Sequence, residues 1–171
     1  MNILYALLGE HGPLRHQLEA LRLVAPRLDD DKLRAATLGL AEAIESHAEL
    51  EDELLFDPLS ASDLMPPGPI AAMRAEHREI EILLGQVLAP AAAPGRAKPQ
   101  RTVARLVELL LHHFEHEEQV LFPIAATLLD GARVDELGAI WAERRGVGVR
   151  EFPRYAKLVA VAAEVERSVT A

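Results

Sequence analysis

The strongest constraint on this chain is a repeat whose parts are spaced for helices. Glu10-His11 recurs as Glu76-His77, His47 as His113 and Glu51 as Glu117, all at one offset of 66 residues (11 to 77, 47 to 113, 51 to 117). Apolar neighbours keep the same offset. Leu40 and Ile44 recur as Leu106 and Leu110, and Leu55-Phe56 recurs as Leu121-Phe122. The chain therefore reads as two copies of one helical hairpin, each carrying a lone histidine and a His-x-x-x-Glu pair. The predicted fold is all-α, an up-down-up-down four-helix bundle of two repeated hairpins over residues 1–130. A helical extension over 131–171 follows it.

Punctuation divides the copies. Helices are predicted over roughly 2–25, 31–56, 67–88 and 98–129, from Leu, Ala, Glu and Arg at helical spacing and the near absence of alternating strand patterns. Pro26 and Asp29-Asp30-Asp31 separate the first two, with an aspartate available as N-cap. Asp57-Pro58 through Pro69 reads as a linker, as does Ala89-Pro90 to Pro99. Asp130-Gly131 is predicted to end the fourth helix. Gly12-Pro13 predicts either a kink in the first helix or its start at Pro13. From about 133 to 169 one or two further helices are expected, broken at Gly146, Gly148 and Pro153. This tail carries no histidine and no expected chemistry.

Helical faces bring six residues together. A His-x-x-x-Glu pair projects from one side of a helix. His47 and Glu51 continue the stripe Leu40, Ile44, Leu54-Leu55, and His113 and Glu117 continue Leu106, Leu110, Val120-Leu121. His11 shares a stripe with Leu4, Leu7, Leu8, Leu14 and Leu18. His77 shares one with Ile70, Met73, Ile80 and Leu84. All six are expected to face the core. A carboxylate there is costly unless paired or metal-bound, and the inward stripes offer no lysine and one arginine, Arg15. Height agrees. His11 lies about 17 residues before the first turn and His47 about 19 after it, roughly 26 and 28 Å of helix, and the second hairpin repeats the count. One inward histidine is ordinarily a satisfied core residue. Four at matched height with two glutamates predict a cation site, and bundle cores of this kind hold two iron or manganese ions.

Composition narrows the alternatives. The 171 residues suit one domain, and half of them are apolar, enough for a real core. There is no cysteine among them, which excludes disulfides, zinc fingers, iron–sulfur clusters and cysteine nucleophiles. A net charge of −9 without a basic stripe argues against nucleic acid or anionic membrane as partner. No apolar run suits a membrane span. The start, Met1-Asn2-Ile3-Leu4-Tyr5, lacks the basic region of a signal peptide, so a cytoplasmic location is expected.

His47-Ala-Glu-Leu-Glu51 followed by Leu55-Phe56, and His113-Phe-Glu-His-Glu117 followed by Leu121-Phe122-Pro123, resemble the twin motifs of the hemerythrin-like (HHE cation-binding) family. The lone histidines of Glu10-His11 and Glu76-His77 match the family's other two ligand positions. The resemblance covers roughly residues 1–130. It implies a four-helix bundle and a non-haem di-iron centre. Glu51 and Glu117 would bridge, with His11, His47, His77 and His113 as terminal ligands. One departure stands out. Oxygen-carrying hemerythrins have His-x-x-x-His on the third helix, whereas this helix offers His77-x-x-x-Glu81. That argues against simple reversible oxygen carriage.

Several readings stay open. Glu81 is either a further ligand or a surface glutamate near Arg74 or Arg78, and His16 becomes a ligand only if Pro13 twists its helix. His112 and His116 share a stripe with Arg105, Glu108 and Gln119, and read as solvated or outer residues. The leading functional expectation is a di-iron protein that binds or senses O2 or NO, or buffers iron, with a protein partner if it signals. The alternatives are an enzyme acting on nitric oxide or peroxide, an iron donor for cluster repair, and a metal-stabilised structural bundle. Nitrogen and carboxylate ligands suit iron, and also manganese and zinc.

Overall fold

A computed structural model describes residues 1–90 and 98–147, and all regular structure among them is helical. The first helix, α1, spans Ile3–Val24 and is capped by the Asn2 side chain, which accepts from the Leu4 N–H. It continues through Pro13 rather than starting there. Asp29 caps the second helix by accepting from the Lys32 N–H at 2.9 Å.

The second helix outlasts its expected end. Asp30–Glu51 passes into a π turn, Asp52–Phe56, and then into Asp57–Ser60, giving one rod, α2, over 30–60. The linker expected from Asp57-Pro58 therefore begins only after Ser60. In the π turn hydrogen bonds skip five residues, as the Asp57 N–H does to the Asp52 carbonyl. That wider turn relieves the clash a proline normally makes with the turn before it. After α3, Pro69–Leu88, the second copy repeats the pattern. Pro99–His116, the π turn Glu117–Leu121 and Phe122–Leu128 form α4, over 99–128, with Pro123 just past the π turn. Asp130-Gly131 does not close α4. Asp130 accepts from the Arg133 N–H and opens α5, Gly131–Arg144. The chain leaves α5 through Gly146, whose φ of +63° favours glycine.

Each long helix packs on the next, and α4 packs on α1, so the four form a ring. Helix α5 lies along α1. It comes so close at Gly138 that a β-carbon there would sit 1.7 Å from the Met1 carbonyl oxygen. The core has two apolar clusters. One includes Leu7, Leu55, Phe56, Met73, Leu121 and Trp141, the other Leu14, Leu40, Ile44, Ile80, Leu106 and Leu110. Two residues expected inward face solvent instead. Leu8 lies beside the buried stripe Leu7, His11, Leu14, Leu18, and Val120 is exposed although its counterpart Leu54 (54 to 120) is buried in the cluster that includes Trp141 of α5. Among the described residues no helix is long and apolar enough to cross a membrane. The tail expected beyond Val147 and the linker over 91–97 lie outside the described residues.

Candidate metal centre

Between the two apolar clusters lies a polar layer. Helix α1 supplies His11, α2 His47 and Glu51, α3 His77, and α4 His113 and Glu117. Both glutamates are fully buried, and the four histidines are buried or nearly so. Their side-chain atoms gather into two groups that share both carboxylates. One is His11, His47, Glu51 and Glu117, the other Glu51, His77, His113 and Glu117, with ligand atoms within 4.8 Å of one another in each. Glu51 Oε2 lies 3.7 Å from Nε2 of both His47 and His77. Glu117 divides its oxygens, Oε1 at 3.1 Å from His113 Nε2 and Oε2 at 3.4 Å from His11 Nε2. The Nε2 atoms of His77 and His113 converge to 3.0 Å.

A second ring of carboxylates orients the histidines. Glu118 meets His11 Nδ1 at 2.7 Å, Glu10 meets His47 Nδ1 at 2.8 Å and Glu76 meets His113 Nδ1 at 2.8 Å. Asp52 lies 3.6 Å from His77 Nδ1. An Nδ1–H held by a carboxylate leaves the Nε2 lone pair pointing inward, the arrangement metal-binding histidines use. Sequence reasoning missed this ring. Each carboxylate sits next to a site residue in the chain yet serves a histidine on another helix. The repeat carried the signal, because Glu10 and Glu76, and Asp52 and Glu118, keep the 66-residue offset (10 to 76, 52 to 118). The supposedly inert tail also takes part, since Arg145 Nε lies 2.7 Å from Glu10 Oε1. Arg15, expected on an inward stripe, is half-exposed and donates to Glu118 at 2.9 Å.

Crowding of buried carboxylates and imidazoles shifts their proton affinities in opposite directions. Burial pushes the Glu51 carboxyl up, but His47 and His77 outweigh it and hold it at about 2. Burial, with the Glu51 charge added, drives Glu117 well above the ordinary carboxylate range. Burial works against the charge on His113, yet the Glu117 and Glu76 carboxylates beside it raise it to about 10. His11 is lowered by burial and by His47. Even so, Nε2 of His11 and His47 and both oxygens of Glu51 and of Glu117 make no hydrogen bond among the described residues. Orphaned buried acceptors converging on two points fit cations.

The remaining candidates stay outside this layer. His16, Glu81 and His112 are exposed and His116 is half-buried. Glu81 lines a cavity of about 430 Å³ between α2 and α3 that reaches His47, His77 and His113. The exposed charges Glu45, Glu49 and Arg78 also line it.

Residues 2–125 match a family model described as the hemerythrin HHE cation binding domain. No curated protein and no solved structure gives a significant match.

Proposed function

The chain belongs to the hemerythrin HHE cation-binding family, and from that premise we propose that it holds a dinuclear non-haem iron centre that binds or senses a small ligand such as O2 or NO. The observation that carries this is the sharing of Glu51 and Glu117 between two ligand groups with two histidines each. One ion in each group would have His11 and His47, or His77 and His113, as terminal ligands and both glutamates as bridges. The reading includes alternately up and down long helices, residues 1–130 as the metal-holding unit and 131–171 as its extension.

Two irons so held would supply a redox couple and coordination positions that protein atoms do not fill. The chain's own residues do the rest. Glu10, Glu76, Glu118 and Asp52 fix the imidazoles. The apolar clusters above and below shield the layer from bulk water, and the cavity gives a small molecule a path to His47, His77 and His113. With Glu81 exposed, α3 offers the centre only one histidine.

The cavity also supports a second reading, turnover of nitric oxide or peroxide, because a wide, charged approach admits water and polar substrates. The test is the optical spectrum of iron-loaded protein, followed by addition of azide, NO or hydrogen peroxide. A ferric pair predicts near-ultraviolet charge-transfer absorption that changes on azide or NO addition. Steady peroxide or NO consumption would favour the enzyme, and a spectrum without such bands would overturn the iron assignment.

A further inference from the structure

The two copies treat one pair of equivalent carboxylates differently. In the first copy Glu10 bonds His47 with Oε2, and its Oε1 is held by Arg145, whose guanidinium also donates to Ser46 Oγ. A fixed cation thus rests on Glu10 and Ser46. In the second copy Glu76 bonds His113 with Oε2 in the same way. The equivalent of Ser46 is His112 (46 to 112), and the equivalent of buried Leu50 is His116 (50 to 116). Among the described residues no arginine pairs with Glu76 as Arg145 does with Glu10. Instead, ligand atoms of Glu76, His112 and His116 lie within 4.8 Å of one another. His116 Nδ1 is buried, makes no hydrogen bond among the described residues and stands 3.8 Å from Glu76 Oε1.

From this we infer a third cation site on the outer face of α3 and α4, formed by Glu76, His112 and His116 and separate from the buried layer. The two imidazoles are one helical turn apart, their ring centroids 6.0 Å from each other, and they face a carboxylate on the neighbouring helix. Two nitrogens and one oxygen, open to water on the remaining side, suit a divalent transition cation of the zinc class rather than calcium or magnesium. The ion supplies the positive charge that Arg145 supplies to the equivalent carboxylate in the first copy. Because Glu76 also holds His113, it links this surface site to the buried one.

The test is equilibrium dialysis of the full chain, as isolated with its tightly held metal, against micromolar zinc ion, with elemental analysis of zinc and of the resident metal. The site predicts one zinc per chain more in the wild type than in His112→Gln or His116→Gln, with affinity in each variant weaker by about tenfold or more. Both side chains reach the surface, so glutamine is accommodated, and circular dichroism checks the fold. The wild-type excess is expected whatever the buried layer holds. No additional zinc, uptake matched by loss of resident metal, or equal uptake in wild type and both variants would overturn the site.

Discussion

His11 and His77 descend from one repeated pattern, yet His11 is enclosed while His77 borders the cavity between α2 and α3. His11 is 1 % exposed, with Phe114 stacked on it at 4.4 Å and Phe122 at 5.7 Å. Its Nδ1 is held at 2.7 Å by Glu118, which Arg15 backs. His77 is 10 % exposed. Phe56 stacks on it at 5.3 Å as the counterpart of Phe122 (56 to 122), but Ala48 stands where the other copy has Phe114 (48 to 114). Ala48 lines the cavity that reaches His77. A repeat can thus preserve a ligand set while one aromatic-for-alanine difference changes the packing beside one of its histidines.

The shared glutamates give the largest expected effect, because they belong to both sides. Glu51→Ala and Glu117→Ala should each remove most metal from both groups, whereas His112→Ala and His116→Ala should leave the tightly held metal in place. Metal analysis after exhaustive dialysis distinguishes them. Comparable losses in all four variants would remove the distinction between buried layer and outer face.

Next in size is the stability the metal gives. Glu117 is raised in the metal-free fold, so it stabilises that fold below the usual carboxylate range, and the gain is lost as pH climbs through its raised value. His113, raised to about 10, contributes stability that is complete below its ordinary value and is lost only as pH rises through about 10. Protons on both groups compete with metal, so affinity rises with pH. Binding to the folded state adds about 4 kcal/mol when free metal is a thousandfold above its Kd. Chelation should therefore lower Tm more at about pH 8 than at about pH 6. Thermal unfolding with and without chelator measures this, and a Tm unmoved by genuine metal removal would contradict a buried centre.

A smaller effect sharpens the contrast between the sides directly. Ala48→Phe should fill the cavity beside His77 as Phe114 fills the space beside His11. It should slow azide or NO association with the metal-loaded protein roughly tenfold, about 1.4 kcal/mol in barrier, without changing metal content. Stopped-flow mixing is the measurement. An unchanged rate would mean that ligands do not arrive through the cavity between α2 and α3.

The six inward residues were legible in the sequence because the apolar stripes and the common offset coincide on all of them, and the i, i+4 spacing adds to both for His47, Glu51, His113 and Glu117. What was illegible involved interactions between helices. Glu10 adjoins His11 but serves His47, and spacing along one helix does not show which partner lies across from it. Pro58 looked like a helix terminator because the turn before it was taken as α, and the π turn moved that boundary. Asp130-Gly131 looked like an ending, although aspartate there caps the helix that follows. The Ala48–Phe114 difference was present in the aligned copies, but its effect on access depends on packing around the two histidines.

The most direct test is the number of tightly bound metal ions per chain in protein produced with ample iron. Two carboxylates shared between two histidine pairs predict a value close to two, with iron the metal found. A value held at one, or no metal at all, in correctly folded protein would contradict the dinuclear centre.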